Sequence, residues 1–232
     1  MKSARPLRPV ADFTAEVHSP QVASPTSPSG RTRPSASITA TSKPGVAWPV
    51  EPDRAAILVH DMQSYFVRTL CPKMRGEIVS NIAAILDWAR SNDIPVFYTA
   101  QPGRMSCEDR GLLADFWGPG MRTSAEDREI IADLAPRKTE IVLTKWRYSA
   151  FFKSDLAAMM ESRGRDELII TGIYASVGIL ATAIESFTRD IRPLLVRDAI
   201  ADFSAERHSS TLDYAAEHCA RILSTREVLD NV

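Results

Sequence analysis

No stretch of this 232-residue chain approaches the roughly 20 consecutive apolar residues that a helix needs to cross a bilayer, so no membrane-spanning helix is expected. Charge of one sign is also missing. Lys and Arg number 28 against 29 Asp and Glu, and a net charge of -1 has no bulk attraction for nucleic acid or an anionic surface. Cysteine is scarce. Cys71, Cys107 and Cys219 are odd in number, widely spaced and without CxxC or Cys/His ligand spacing, which makes a reducing, cytoplasmic compartment the expectation. The basic residues Lys2, Arg5 and Arg8 lead into no apolar core, so they do not read as a secretory signal. There is no HExxH, no carboxylate cluster and no phosphate-cradling GxGxxG, and neither a metal nor another cofactor is expected.

What is there divides the chain in two. From about Ser19 to Gly45 the sequence is rich in Ser, Thr and Pro, with few large apolar side chains to offset chain entropy. Residues 1–45 are therefore expected to form a disordered tail, and 46–232 a single domain with one sizeable core, since 44% of the chain is hydrophobic. After Trp48, short apolar runs alternate with amphipathic stretches. The strand candidates are Ala55–His60, Pro95–Thr99, Ile141–Thr144, Leu168–Thr171, Pro193–Val196 and Arg221–Ser224. Ile78, Ile82, Ile85, Leu86 and Ala89 share one helical face, and Asp155–Arg163, Ile179–Arg189 and Ala205–His218 also read as helices. The alternation predicts an α/β fold: a doubly wound, roughly six-stranded parallel sheet with helices on both faces.

In such a sheet the C-terminal strand tips face the ligand crevice. Asp61 ends the run Ala55–His60, Gln101 follows the second strand and Lys145 follows the third. Taken singly, Asp61 could be a helix cap or turn residue, and Lys145 a surface lysine. Their shared position at strand tips is what makes a common crevice plausible. After the fourth strand the chain reads Gly172-Ile173-Tyr174-Ala175-Ser176-Val177-Gly178, with no nucleophile at Gly178. An acid and a lysine without a nucleophile point to proton-driven cleavage rather than covalent catalysis. Two segments break the strand–helix rhythm. Gln101–Met121 is a long loop at the ligand end, and Trp146–Phe152 is dense in aromatics, as suits a pocket wall. His60, inside the first strand, is expected to be a buried, satisfied histidine. Asp198 and Asp202 are expected to cap or brace the last helix, and Gly172 and Gly178 to serve close approach or tight turns.

Several long motifs resemble the isochorismatase family: Val59-His60-Asp61-Met62-Gln63, Tyr98 to Gly103, Asp115 to Gly120, Thr144 to Phe151 and Asp198 to Ser204. The resemblance runs from about Trp48 to Leu229. It is greatest toward the phenazine-pathway branch, the 2-amino-2-deoxyisochorismate hydrolases, through the segment after Tyr65, Phe152 to Leu156 and Val177 to Leu180. No carrier-protein domain is read after Val232. Cysteine hydrolases of this fold place their nucleophile where this chain has Gly178, and none of its three cysteines can occupy that position.

The resemblance implies that protonated Asp61 delivers a proton to the methylene carbon of an enolpyruvyl ether. Water then adds to the oxocarbenium ion, and pyruvate and a ring alcohol are released. It further implies that Lys145 and Arg110 bind the carboxylates of a chorismate-derived dicarboxylate. Gln101, Tyr174 and Gly178 would complete the site, and Tyr65, Trp117, Tyr148 and Phe152 would form its walls. A cis peptide between Ile173 and Tyr174 and a homodimer are implied as well. Where close relatives are expected to read Tyr-Ala-His, this chain has Tyr174-Ala175-Ser176. Ser176 is shorter and cannot carry charge, which bears on substrate preference. The leading substrate is 2-amino-2-deoxyisochorismate. The alternatives are isochorismate, in a siderophore pathway, and a catalytically inactive interaction module.

Overall fold

The computed structural model describes residues 46–231, so the expected tail, residues 1–45, lies outside the described residues. In chain order the elements are β1 (Ala55–His60), α1 (Ser64–Val67), α2 (Pro72–Ser91), β2 (Val96–Ala100), α3 (Cys107–Arg110), α4 (Leu113–Trp117) and α5 (Ala125–Arg128). There follow β3 (Ile141–Thr144), α6 (Leu156–Glu161), β4 (Glu167–Ile173), α7 (Leu180–Thr188), β5 (Arg192–Ala201), α8 (Ala205–His218), β6 (Arg221–Leu223) and α9 (Thr225–Leu229).

The six strands form one sheet in the order β3-β2-β1-β4-β5-β6, and every pairing is parallel. Alternation along the strands feeds two cores. Ala55, Ile57 and Val59 face α2 and α9, whereas Ala56 and Leu58 face α6, α7 and α8. Because both faces are covered, all six residues of β1 are buried, which is why it reads as an unbroken apolar run. On α2, Ile78, Ile82, Ile85, Leu86 and Ala89 are all buried, as their spacing predicts, and Pro72 starts the helix where a missing N–H does no harm.

Three readings change. β5 is ten residues long, not four, and contains a bulge: Leu195 pairs with Ile170, but Ile200 pairs with Gly172. The helix expected from Ile179 begins at Leu180, because Ala175–Ile179 forms a π-helical turn in front of it. The long loop after β2 contains the short helices α3 and α4. A capping box, Ser224 with Glu227, turns the end of β6 into α9.

The chain starts at β1, builds outward to β3, then returns to the other side of β1 as β4. The winding thus reverses between β1 and β4, the point where open α/β sheets bind ligands beyond their C-terminal ends. Close approach there requires glycine at Gly172, whose φ is +106° and whose Cβ would overlap the His60 carbonyl oxygen.

Candidate active site

Five strand ends meet over this crevice. Asp61 leaves β1 with φ +52°, a left-handed conformation that Asp adopts more readily than most residues. Thr99, near the tip of β2, holds it twice: its Oγ1 accepts from the Asp61 amide at 3.0 Å and donates to Oδ1 at 2.5 Å. The other carboxylate oxygen, Oδ2, accepts from Lys145 Nζ at 3.1 Å. Lys145 follows β3 directly, and its backbone amide donates to the Ala100 carbonyl at 2.9 Å. Both side chains are nearly inaccessible, 9% exposed for Asp61 and 2% for Lys145.

Burial pushes the Asp61 carboxyl up, but the Lys145 ammonium, helped by the bond from Thr99, outweighs burial and holds it below the ordinary carboxylate range. Without substrate the pair therefore rests as carboxylate and ammonium.

Gln101 sits at the tip of β2, and its backbone is clamped by the buried Gln63 side chain. Oε1 of Gln63 accepts from the Gln101 amide at 2.7 Å, and Nε2 donates to its carbonyl at 3.0 Å. Arg110 ends α3 with its guanidinium turned inward. It donates to the Gly118 carbonyl at 2.9 Å and to Gln101 Oε1 at 3.4 Å, and it pairs with no carboxylate among the described residues. Burial lowers its pKa. A buried guanidinium supported only by neutral oxygens favours an anion. Gly120, with φ +80°, lets the loop pass close over it, since a Cβ there would lie 2.9 Å from Arg110 Cζ.

Aromatic rings form the walls. Trp117 Nε1 donates to Tyr148 Oη at 2.9 Å, and Phe203 stacks on Tyr174 at 4.0 Å and lies 5.9 Å from Trp117. Tyr174 Oη donates to the Phe66 carbonyl, and the Ile173–Tyr174 peptide is cis, as the resemblance implies. The cavity measures about 330 Å3 and is lined by Asp61, Lys145, Gln101, Arg110, Tyr174 and Gly178, with Tyr65, Trp117 and Tyr148 on its walls.

Two expected site residues lie elsewhere. Phe152 lines a separate surface groove beside Phe116, with the Arg147 guanidinium 5.6 Å from its ring centre. The turn after Ser149 buries Phe151 instead and leaves Phe152 39% exposed. Ser176 does not line the cavity either. Its amide donates to Asp202, which anchors the π-helical turn to the end of β5. Asp202 also accepts from the Phe203 amide, so it braces that turn rather than the last helix. Asp198 does cap α9, through the Thr225 amide and hydroxyl.

Thr99, Gln63 and Phe203 carry no role in the sequence reading. All three stand inside or beside the motifs quoted above, but only the sheet register places Thr99 opposite His60 and brings it onto Asp61.

His60 is satisfied on one side only. Nδ1 donates to the Ile173 carbonyl at 2.8 Å, whereas Nε2 is buried without a partner. Burial, reinforced by Lys145, holds its pKa down to about 4 against an ordinary 6.5. The folded state thus resists a proton that the unfolded chain accepts. The stability this gives is complete above 6.5 and is lost as pH falls toward 4, by about 3 kcal/mol. In His60→Asn, which keeps a donor for Ile173, that increment of acid sensitivity is expected to vanish. Urea unfolding of both proteins at pH 7 and pH 4 measures it, and equal losses in the two would refute the assignment.

The sequence matches the Isochorismatase domain over residues 55–227. The chain belongs to the isochorismatase family. Among relatives of this isochorismatase-family chain, a probable isochorismatase of Pseudomonas chlororaphis is 54% identical over 182 residues, which is 78% of this chain and 88% of that protein. The phenazine biosynthesis protein PhzD of Pseudomonas fluorescens is 53% identical with the same coverage. A solved cysteine hydrolase from Pseudomonas syringae shares the fold with a TM-score of 0.74 at 27% identity, covering 82% of this chain and 97% of its own. The chain is a hydrolase. Among its described residues no helix is long and apolar enough to cross a membrane, and no cysteine or serine lines the cavity.

Proposed function

We propose that this chain hydrolyses the enolpyruvyl ether of 2-amino-2-deoxyisochorismate to trans-2,3-dihydro-3-hydroxyanthranilate and pyruvate, in a phenazine-type pathway. The observation that carries the reading is the buried Asp61–Lys145 pair, 3.1 Å apart, open to a cavity that holds an unpaired guanidinium and no cysteine or serine. The phenazine assignment is supported by the PhzD relative.

The chemistry follows from these groups. The substrate's two carboxylates approach Lys145 and Arg110, two buried cations on the cavity wall. Their negative charge, and the loss of water from the cavity, favour the neutral form of Asp61. Asp61 takes up a proton and gives it to the terminal methylene carbon, which becomes a methyl group. Carbon accepts protons slowly, so holding the acid over it is the main contribution of the site. The aromatic walls hold the ring. The cation left on the ether carbon is trapped by water, which returns a proton to Asp61, and the hemiketal collapses to pyruvate and the ring alcohol. The free thiols Cys71, Cys107 and Cys219 agree with a cytoplasmic setting, and the exposed Ile184 and Phe187 of α7 agree with assembly as a homodimer.

The test is pyruvate release from 2-amino-2-deoxyisochorismate and, separately, isochorismate, followed with lactate dehydrogenase and NADH. Faster release from the amino substrate is the expected result. Faster release from isochorismate favours the second reading, which the probable isochorismatase relative supports. No release from either, by folded protein, favours the inactive module.

A further inference from the structure

Gly178 faces the pocket in the π-helical turn, and its backbone lies outside the left-handed region, so its own conformation admits any residue. What bars a side chain there is a neighbour. A Cβ at 178 would overlap His60 Cε1 and lie 2.8 Å from His60 Nε2. The same Cβ would lie 3.2 Å from Lys145 Nζ, beside the charged pair. The ring cannot swing aside freely. It is fully buried in β1, and Nδ1 is tied to the Ile173 carbonyl. The carbonyl accepts, so the neutral ring carries its hydrogen on Nδ1 and turns a bare Nε2 toward Gly178, which leaves that nitrogen without a partner. A buried, unpartnered nitrogen is unusual and calls for a reason.

We propose that His60 is the residue that determines which chemistry this cavity can run: its ring holds the space beside Lys145 that a side chain at position 178 would need, and so keeps the Asp61–Lys145 pair free of a covalent nucleophile. His60 acts through Gly178 and touches no substrate, so it is a positioning residue. The inference rests on the nucleophile-free reading of the site, but its stability test uses no substrate, and the two can fail separately.

His60→Asn is the informative background. It keeps an amide nitrogen where Nδ1 stands and removes the two ring atoms that a Cβ would strike. His60→Ser is a second background in case the first folds poorly. Gly178→Ala in the otherwise natural chain is expected to lower Tm by roughly 5 °C or more, as overpacking of a rigid site does. In the His60→Asn chain the same substitution is expected to lower Tm no further. Equal losses in the two backgrounds would overturn the proposal.

A thiol then probes the freed space. In His60→Asn/Gly178→Cys, the thiol at position 178 is expected to react with iodoacetamide at pH 6.5 at least about tenfold faster than Cys71 and Cys107 of the same chain, because the ammonium beside it favours thiolate. Peptide mass spectrometry resolves the three sites, and adding Lys145→Met is expected to abolish the advantage. A thiol at 178 no faster than Cys71, or one indifferent to Lys145→Met, would show that the space His60 holds is not the place beside the pair.

Discussion

On the proposed mechanism, Asp61→Asn is expected to lose about 10^3-fold or more in kcat while unfolding as cooperatively as the natural protein. The size follows from what is removed. A positioned general acid contributes roughly 10^2 to 10^4, and among the described residues no second carboxyl group lines the cavity. The amide is isosteric with the carboxylate, and its one oxygen can still accept from Lys145, so shape and packing are kept while one of the two accepted bonds is lost. The pH dependence separates this account from a purely structural one. Lys145 holds the Asp61 carboxyl below its ordinary range in the free protein, so the protonated form is scarce at neutral pH. The natural enzyme is therefore expected to lose kcat/KM about tenfold per pH unit through the neutral range. Its kcat should decline only at higher pH if, as proposed, bound carboxylates lift the Asp61 pKa in the complex. The residual activity of Asp61→Asn should show no such slope. Near-normal turnover in this variant would sink the mechanism.

Lys145→Met is expected to fail twice, with opposite pH signatures. On the proposed mechanism Lys145 pairs with a substrate carboxylate, and its loss is expected to lower kcat/KM by roughly 10^2 to 10^3. Stability changes through Asp61. In the natural protein the carboxylate is held ionised by Lys145, and that stability is present above the ordinary carboxylate value and lost in acid. Without Lys145, burial is opposed by His60 and the Thr99 bond alone, and burial, the largest of these effects, is expected to lift the folded-state pKa above the unfolded one. The variant's stability is then fully present only in acid and is lost as pH rises through the lifted pKa. The deficit against the natural protein should reach about 3 kcal/mol near pH 8 and shrink toward pH 5. Urea unfolding at the two values measures it. A deficit that does not vary with pH would mean that Lys145 contributes by packing alone.

The fold class and the three strand-tip residues are legible in the order of amino acids alone. A strand buried on both faces must be apolar throughout, so β1, β4 and the ends that carry Asp61 and Tyr174 are visible in one dimension. Lys145 and Gln101 follow from the same rule applied to β3 and β2. The absence of a nucleophile at Gly178 is equally local, and its chemical meaning came from the resemblance carried by long motifs.

Tertiary structure alone decided which side chains face inward. Phe151 and Phe152 are adjacent aromatics, and only the turn that Ser149 and Ser154 stabilise assigns one to the core and the other to the surface. Thr99 meets Asp61 because parallel register puts it opposite His60, and register is set by the whole sheet, not by either strand. The His60–Gly178 contact joins residues 118 positions apart through the cross-strand pairing of His60 with Gly172 and the turn that follows. The balance at Asp61 is of the same kind. Burial raises a carboxyl and an ammonium lowers it, and which of the two prevails depends on a distance of 3.1 Å that only the folded chain defines.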